Sequence, residues 1–373
     1  MSILAGIQVI EIAGIGPGPF CGMLLADLGA DVIVVERPGG SELPSAGILR
    51  RGKRSVALDL KAPDAIDAVL RLIDGADALI EGMRPGTMER LGLGPEVCHA
   101  RNPRLVYGRM TGWGQDGPLA HAAGHDTNYI ALSGALWYAG EGERPPVAPP
   151  TLVGDIGGGA LYLAVGLLAG ILNARGTGFG QVVDAAIVDG SAHMMNLLLD
   201  LAGAGLVREQ RGSSVLDGPH WYATYRCADG RDITVGALEP KFYRLLLEKL
   251  DLAADPRFAV QNDRRQWPEL KQHMAALFAT RGRDAWCSLL EGSDVCFAPV
   301  LSPAEAAQHP HLAARGTYSA GVLLQANPAP RFSNAEAAAT RPIPQLGEHT
   351  QQVLAAAGVS DAFLSTLRER SGR

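Results

Sequence analysis

Two titratable side chains in this 373-residue chain follow a glycine and precede an apolar, helix-patterned run. One is His125, in Ala123-Gly124-His125-Asp126; the other is Asp155, in Val153-Gly154-Asp155-Ile156. A helix start offers a positive dipole end and unpaired N–H groups. An imidazole placed there tends to stay neutral and able to accept a proton. A carboxyl there is held ionised, and is a weak base unless burial raises its pKa again. Two unlike bases near one carbon allow a proton to leave one face and arrive on the other. Each position also has a plain structural explanation: aspartate is among the best N-caps, and a histidine can cap a helix or sit in a core. Taken singly, neither needs a function. The run Gly157-Gly158-Gly159 after Asp155 would let a backbone approach a bulky ligand closely.

A second group of residues concerns anions. Arg37, Arg50, Arg51, Lys53, Arg54 and Lys61 stand close together against only Glu42 and Asp59, in a chain of net charge −6. A solvated surface explains such a run. Position argues for a ligand: Arg37 ends a strand-like run, and Arg84 and Arg90 follow another, ADALIEGMRPG. Ligands of doubly wound sheets bind beyond the carboxyl ends of strands, and arginine forks suit phosphates. A nucleotide-like anion with several phosphates is expected, and coenzyme A qualifies. The acidic balance argues against a general nucleic-acid binder. Gly14-Ile15-Gly16-Pro17-Gly18-Pro19, with Glu36 ending the next strand, imitates a dinucleotide fingerprint. Its third glycine position is Pro19, which has no amide hydrogen and suits a first helical turn better.

The elements that position these residues follow from periodicity. IQVIEI, DVIVVE, ADALIE and RLVYGRM are apolar runs separated by the helical patterns PFCGMLLADLGA, APDAIDAVLRLIDG and PEVCHARN. That order predicts an α/β fold with a Rossmann-like parallel sheet. Helical patterns follow at His125–Leu136 and at Gly157–Ala174, the latter read as a core helix too broken by glycine to span a bilayer. QVVDAAIVDG leaves a strand and enters a helix running to about Val207. After the polar RGSSVLDGP, the run YATYRCADGRDITVGAL reads as a hairpin. Helices near Lys241–Leu250, Pro268–Thr280 and Arg283–Glu291 complete a smaller α+β domain. Proline-rich connections, ANPAPRF and TRPIPQLGEHT, lead to a short helix at Thr350–Ala357. The expected division is a large domain at 1–200 completed by 326–373, a linker at 201–221, and a small domain at 222–325. The amino terminus lacks a basic leader and carries Glu11, so it reads as a first strand. Five widely spaced cysteines without a C-x-x-C pair suggest reduced thiols in a cytoplasm, with neither disulfides nor a metal site. No membrane partner is expected.

Several blocks together resemble the α-methylacyl-CoA racemase branch of the family III CoA-transferases (CaiB/BaiF). They are G-I-G-P-G-P-F at 14–20, R-G-K-R-S at 51–55, L-D-L-K at 58–61, R-P-G at 84–86 and R-M-T-G-W-G-Q at 109–115. Further on are A-G-H-D-T-N-Y at 123–129, G-F-G-Q-V-V-D-A at 178–185, V-G-A-L-E-P-K-F-Y at 235–243 and C-F-A-P-V-L at 296–301. The resemblance implies that His125 and Asp155 are the bases for opposite enantiomers of a 2-methylacyl-CoA thioester. It implies that Glu239 supports the site and that Asp126 lies near the thioester. CoA contacts fall by resemblance to Arg37, to Leu58, Asp59, Leu60 and Lys61, to Gly82, Met83 and Arg84, to Arg90, and to Gly124, Asp126, Thr127, Asn128 and Tyr129. It also implies an interlocked homodimer, with the site between the large domain of one chain and the small domain of its partner. Coenzyme A belongs to the substrate, so no separate cofactor is expected. The reaction would be a 1,1-proton transfer through an enolate, whose oxygen the N–H groups at 125–128 are candidates to hold.

Two other readings stay open. A CoA transferase on the same fold would use an aspartate matching Asp155 as nucleophile and form an acyl anhydride. An inactive acyl-CoA carrier would keep only the nucleotide site. The His125-Asp126 pair, and the lack of a G-G-G-G-Q-P-like loop later on, favour the racemase. Departures from the family pattern lie at Leu216–Tyr222, one residue shorter and bearing His220, read as a surface turn residue, and at Lys241, set to pair with Glu239 or to face solvent. The acyl chain is left open: Met194 and Met195 fit a pocket wall or a helix core.

Overall fold

A computed structural model describes residues 2–40, 45, 47–140, 142, 144–319, 323–334 and 342–371. Glu42 and the start of the second proline-rich connection lie outside them. The chain divides into two compact units. One comprises Met1–Ala135, Pro149–Met194 and Tyr318–Arg373; the other comprises Leu136–Ala148 and Met195–Thr317.

The first unit is built on a six-stranded parallel sheet of order β3-β2-β1-β4-β5-β6. Its strands are β1 (Gln8–Ile12), β2 (Asp31–Glu36), β3 (Arg54–Ala57), β4 (Ala78–Glu81), β5 (Val106–Thr111) and β6 (Val182–Ala186). Along β1 the apolar side chains alternate between faces. Val9 joins one core with Val32 and Val106, Ile10 the other with Ile33 and Leu79. Helices α1 (Pro17–Asp27), α5 (Asp126–Leu132) and α6 (Leu161–Thr177) contribute to the Val9 face. Helices α2 (Pro63–Ile73), α4 (Pro95–Arg101), α14 (Thr350–Ala356) and α15 (Asp361–Ser371) contribute to the other, and α3 (Thr87–Arg90) adds Met88 to it. Strand β3 was not anticipated: four residues, two of them polar, give too little alternation to read among charges.

The segment Leu152–Thr177 is, by length and composition alone, long and apolar enough to cross a membrane, contrary to the reading of a shorter, glycine-broken stretch. In the fold it covers the sheet. Leu163, Leu167 and Ile171 are buried, and Gly166 and Gly170 leave no room for a β-carbon beside Val183 and Val106. The glycines thus bring α6 close to the strands. After β6, α7 (Ile187–Met194) ends this part of the unit.

The second unit has α8 (Asn196–Gly203) and a three-stranded antiparallel sheet of β7 (Tyr222–Arg226), β8 (Asp232–Gly236) and β9 (Phe297–Pro299). With it are α9 (Pro240–Lys249), α10 (Trp267–Phe278), α11 (Arg283–Leu290), α12 (Pro303–Gln308) and α13 (Pro310–Ala314). Trp221, Trp267, Trp286, Phe258 and Phe278 form its core. His220 belongs to that core and is not a surface turn residue. The Tyr243 hydroxyl donates to Phe258 O at 3.1 Å, so it accepts from His220 Nε2 at 2.8 Å. Burial pushes the His220 pKa down to about 4, which leaves the ring neutral at neutral pH.

Candidate active site

The chain direction across the sheet reverses between β1 and β4, the place where open α/β sheets bind ligands. A cavity of about 1020 Å³ opens there. Its wall takes Ala13–Gly16 from beyond β1, Arg37 from beyond β2, Leu58–Lys61 from beyond β3, and Met83 from beyond β4. Ser45, Gly47, Leu49 and Arg50 add a second side, and Thr87 and Leu91 a third. Such a volume suits an extended, cofactor-sized ligand. The turn at 14–16 occupies the place of a dinucleotide loop, and Pro17 and Pro19 fall in the first turn of α1. Glu36 is already engaged, accepting from Ser55 Oγ and from Arg50 at 3.3 Å, so it is not the free acid a ribose would require.

Of the basic residues, Arg37, Arg50 and Lys61 line this cavity. The Lys61 ammonium has no partner among the described residues. Arg51, Lys53 and Arg54 do not converge on the ligand space as expected; they precede or open β3 and are held in ion pairs. Arg51 binds Asp27 at 2.6 Å and Ala326 O at 2.7 Å; Arg54 binds Asp31. Lys53 Nζ, fully buried, donates to Glu11 at 2.5 Å and to Pro19 O at 2.9 Å, which pins the 14–19 turn. Burial pushes the Glu11 carboxyl above the usual range, against the pull of Lys53. Gly82, Arg84 and Arg90 are outside the cavity wall, and Arg90 donates to Thr87 Oγ1 at 2.9 Å. Their loop is fixed by a residue not singled out from sequence. Arg109 donates to Glu81 at 3.0 Å and to Glu89 at 2.8 Å, while Glu81 accepts from Met83 N at 2.6 Å.

Asp155 lies against the β1 end of the cavity. A β-carbon on Gly16, whose φ is +66°, would stand 3.3 Å from Asp155 Oδ2. The Asp155 N–H donates to Asp126 Oδ1 at 2.8 Å. Asp155 is not an N-cap. It sits inside a π-helical turn, Leu152–Ala160, whose N-cap is Thr151 at φ +60°. The helix dipole does not dominate there. Burial and then the Asp126 charge raise the Asp155 pKa to about 6, and His125 opposes them. That coupling places His125 within electrostatic reach of the carboxyl.

His125 is the N-cap of α5 and is exposed. Its N–H donates to Asn128 Oδ1 at 3.0 Å and its carbonyl accepts from Asn128 N at 2.8 Å. Both N–H groups are therefore committed. Among the described residues, Asp126 and Thr127 keep N–H groups without a partner, the remaining candidates to hold an oxyanion. Gly124 precedes His125 because a β-carbon there would press on Tyr129 at 2.8 Å and Trp113 at 3.0 Å. Tyr129 is buried edge-on to Trp113 and donates to Gly124 O.

The three glycines after Asp155 face protein, not ligand. A β-carbon on Gly157 would meet Met194 Cε at 3.2 Å; one on Gly159 would meet Ile187 Cγ1 at 3.0 Å. Gly158 and Gly190 touch backbone to backbone, with no room for a β-carbon on either. The π-helical turn is thus seated on α7 through Gly190 and the buried Ser191. The V-D-G-S run at 188–191 carried that signal and passed as an ordinary helix.

Glu239 lies in the second unit, exposed at the N-cap of α9, within electrostatic reach of Cys296. Lys241 rests over the Phe242 ring at 4.5 Å. Among the described residues no group of three or more His, Cys, Asp or Glu side chains is placed to hold a metal ion.

Comparisons with known proteins bear on this geometry. The model of CoA-transferase family III matches residues 4–350. The α-methylacyl-CoA racemase of Homo sapiens is 42% identical over 361 residues, covering 96% of this chain and 94% of that protein. The succinyl-CoA–D-citramalate CoA-transferase of Chloroflexus aurantiacus is 31% identical over 374 residues, covering 94% and 92%. A solved CAIB/BAIF family protein from Brucella suis superposes with TM-score 0.83 at 29% identity, over 95% of this chain and 99% of that one.

Proposed function

The chain belongs to CoA-transferase family III, and from that premise we propose that it racemises 2-methylacyl-CoA thioesters by a 1,1-proton transfer. His125 removes the α-proton and protonated Asp155 delivers one to the opposite face; the reverse direction exchanges the roles. Arg37, Arg50 and Lys61 meet the phosphates of CoA, which is part of the substrate, so no separate cofactor is invoked. Each unit by which the α-carbon is less acidic than the base costs about 1.4 kcal/mol. Donors to the enolate oxygen carry much of that cost, and the Asp126 and Thr127 N–H groups are the candidates.

One arrangement carries the reading: the half-buried Asp155 carboxyl at the Gly16 end of the cavity, with Asp126 and His125 within electrostatic reach, where burial raises its pKa to about 6. Such a group is populated in both protonation states near neutrality, as an acid that must also serve as a base requires. A nucleophilic carboxylate needs only its ionised form. The transferase reading has support of its own in the Chloroflexus relative. Incubation of each enantiomer in deuterium oxide separates them. Racemisation with α-deuterium uptake is expected, and His125→Ala should lose racemisation in both directions and deuterium uptake by the enantiomer whose α-proton faces His125. Full exchange of both enantiomers in that variant removes His125 from the mechanism.

We further propose that two chains form an interlocked homodimer. Leu161, Val165 and Leu172 on α6, with Phe179 and Val182 after it, are apolar and exposed in the single chain. Sedimentation velocity reads the mass directly, and a monomer at micromolar concentration excludes the arrangement.

A further inference from the structure

Strand β3 is an edge of the sheet, yet it is not left open. Residues 294 positions later in the chain return to close it. Ser55 N donates to His349 Nδ1 at 3.3 Å, and Ser55 O accepts from His349 N at 2.9 Å. Ala57 N donates to Thr350 Oγ1 at 3.0 Å, and Gly347 N donates to Ser55 Oγ at 2.8 Å. Gly347 is at φ +70°, and a β-carbon there would stand 2.9 Å from that of Ala57, so the contact requires glycine.

The same segment overhangs the cation-bearing side of the cavity. Ile343 Cγ2 would lie 3.0 Å from a β-carbon on Gly47, and Leu346 Cδ2 3.7 Å from one on Gly40. Leu346 lines the cavity with Arg37, Leu49 and Arg50. The Ser55 hydroxyl that accepts from Gly347 donates in turn to Glu36, and Glu36 holds Arg50. One chain of bonds therefore runs from the returning segment to a cation in the cavity wall.

We propose that residues 343–350 are the outer wall of the CoA site, with Leu346 packing on the nucleotide end of acyl-CoA. The Ser55–Glu36 pair passes the position of that wall to Arg50. The inference rests on the reading of this cavity as a CoA site. Asp155 at Gly16 marks the thioester end, whereas Leu346 keeps company with the cations suited to phosphate.

Leu346→Ala tests it, with free CoA titrated calorimetrically and with kinetics on an acyl-CoA and on the pantetheine thioester of the same acid. Loss of one partly exposed apolar contact should raise the Kd for CoA and the KM for acyl-CoA about fivefold. kcat should not change, and neither should the KM for the pantetheine thioester, which lacks the nucleotide. His349→Ala, which leaves the buried Ser55 N–H without its acceptor, should act in the same direction and lower the melting temperature by a few degrees. An unaltered Kd for CoA in Leu346→Ala, or equal weakening towards the pantetheine thioester, overturns the proposal. Failure of the parent protein to bind CoA at all would instead overturn the CoA reading beneath it.

Discussion

Asp155→Asn is expected to uncouple proton exchange from racemisation. The amide keeps the shape of the side chain and leaves the Asp155 N–H bond to Asp126 in place, but it can neither take nor give a proton. Racemisation should fall by roughly 10²- to 10⁴-fold, the range a single acid–base group contributes. On the proposed mechanism, His125 still faces one enantiomer. In deuterium oxide that enantiomer should gain α-deuterium with retention, because the imidazole removes and returns the proton on one side. The opposite enantiomer should neither exchange nor invert. Proton NMR and chiral analysis of recovered acid read both quantities. The parent should give one bell-shaped pH profile common to both directions, since each direction uses the same singly protonated pair. The transferase alternative makes opposite predictions. Neither enantiomer would exchange in the parent, and hydroxylamine would trap an aspartyl anhydride intermediate whose loss in Asp155→Asn is complete.

His125 and Asp155 could be picked out together because a titratable residue after a glycine is a local feature, and the structure brings the two within electrostatic reach. The chemistry of Asp155 was only half legible. Whether a dipole lowers its pKa or burial raises it depends on what packs around it, and the π-helical turn, Asp126 and Gly16 come from three separated stretches. The glycine run misled for the same reason: a β-carbon on Gly158 would strike Ser191 and the Ile187 carbonyl, residues from a distant stretch of the chain. Charge was the least legible property. R-G-K-R-S reads as a phosphate cradle, yet its Arg51, Lys53 and Arg54 are matched by Asp27 at the end of α1, Glu11 on β1 and Asp31 on β2. Periodicity, by contrast, was nearly sufficient for the parallel sheet, since buried strands are continuous apolar runs. It failed only at β3, whose edge is completed by residues 347–350 in place of an apolar neighbour strand.

Lys53→Met should destabilise the protein by about 3–5 kcal/mol, because it leaves Glu11 buried without its counter-ion. For a chain of this size that corresponds to a fall of roughly 10 °C in the melting temperature. The pH dependence has a definite sign. Glu11 already has a folded pKa above its unfolded value, so its contribution is present at acid pH and lost as pH rises through the folded pKa. Removing Lys53 deletes the two effects that pull that pKa down and raises it further. The variant should therefore lie closer to the parent at pH 5 than at pH 8. Adding Glu11→Gln should recover part of the loss, since no orphan charge then remains. A deficit independent of pH and unrelieved by the second change would mean that Lys53 acts through packing alone. Activity should fall even where the variant is folded. Lys53 also holds Pro19 O, which anchors the turn whose Gly16 seats the Asp155 carboxyl. An ångström of slack in that turn reaches the carboxyl directly, so substitution of a residue read from sequence as a phosphate ligand is expected to lower kcat more than it raises the KM for acyl-CoA.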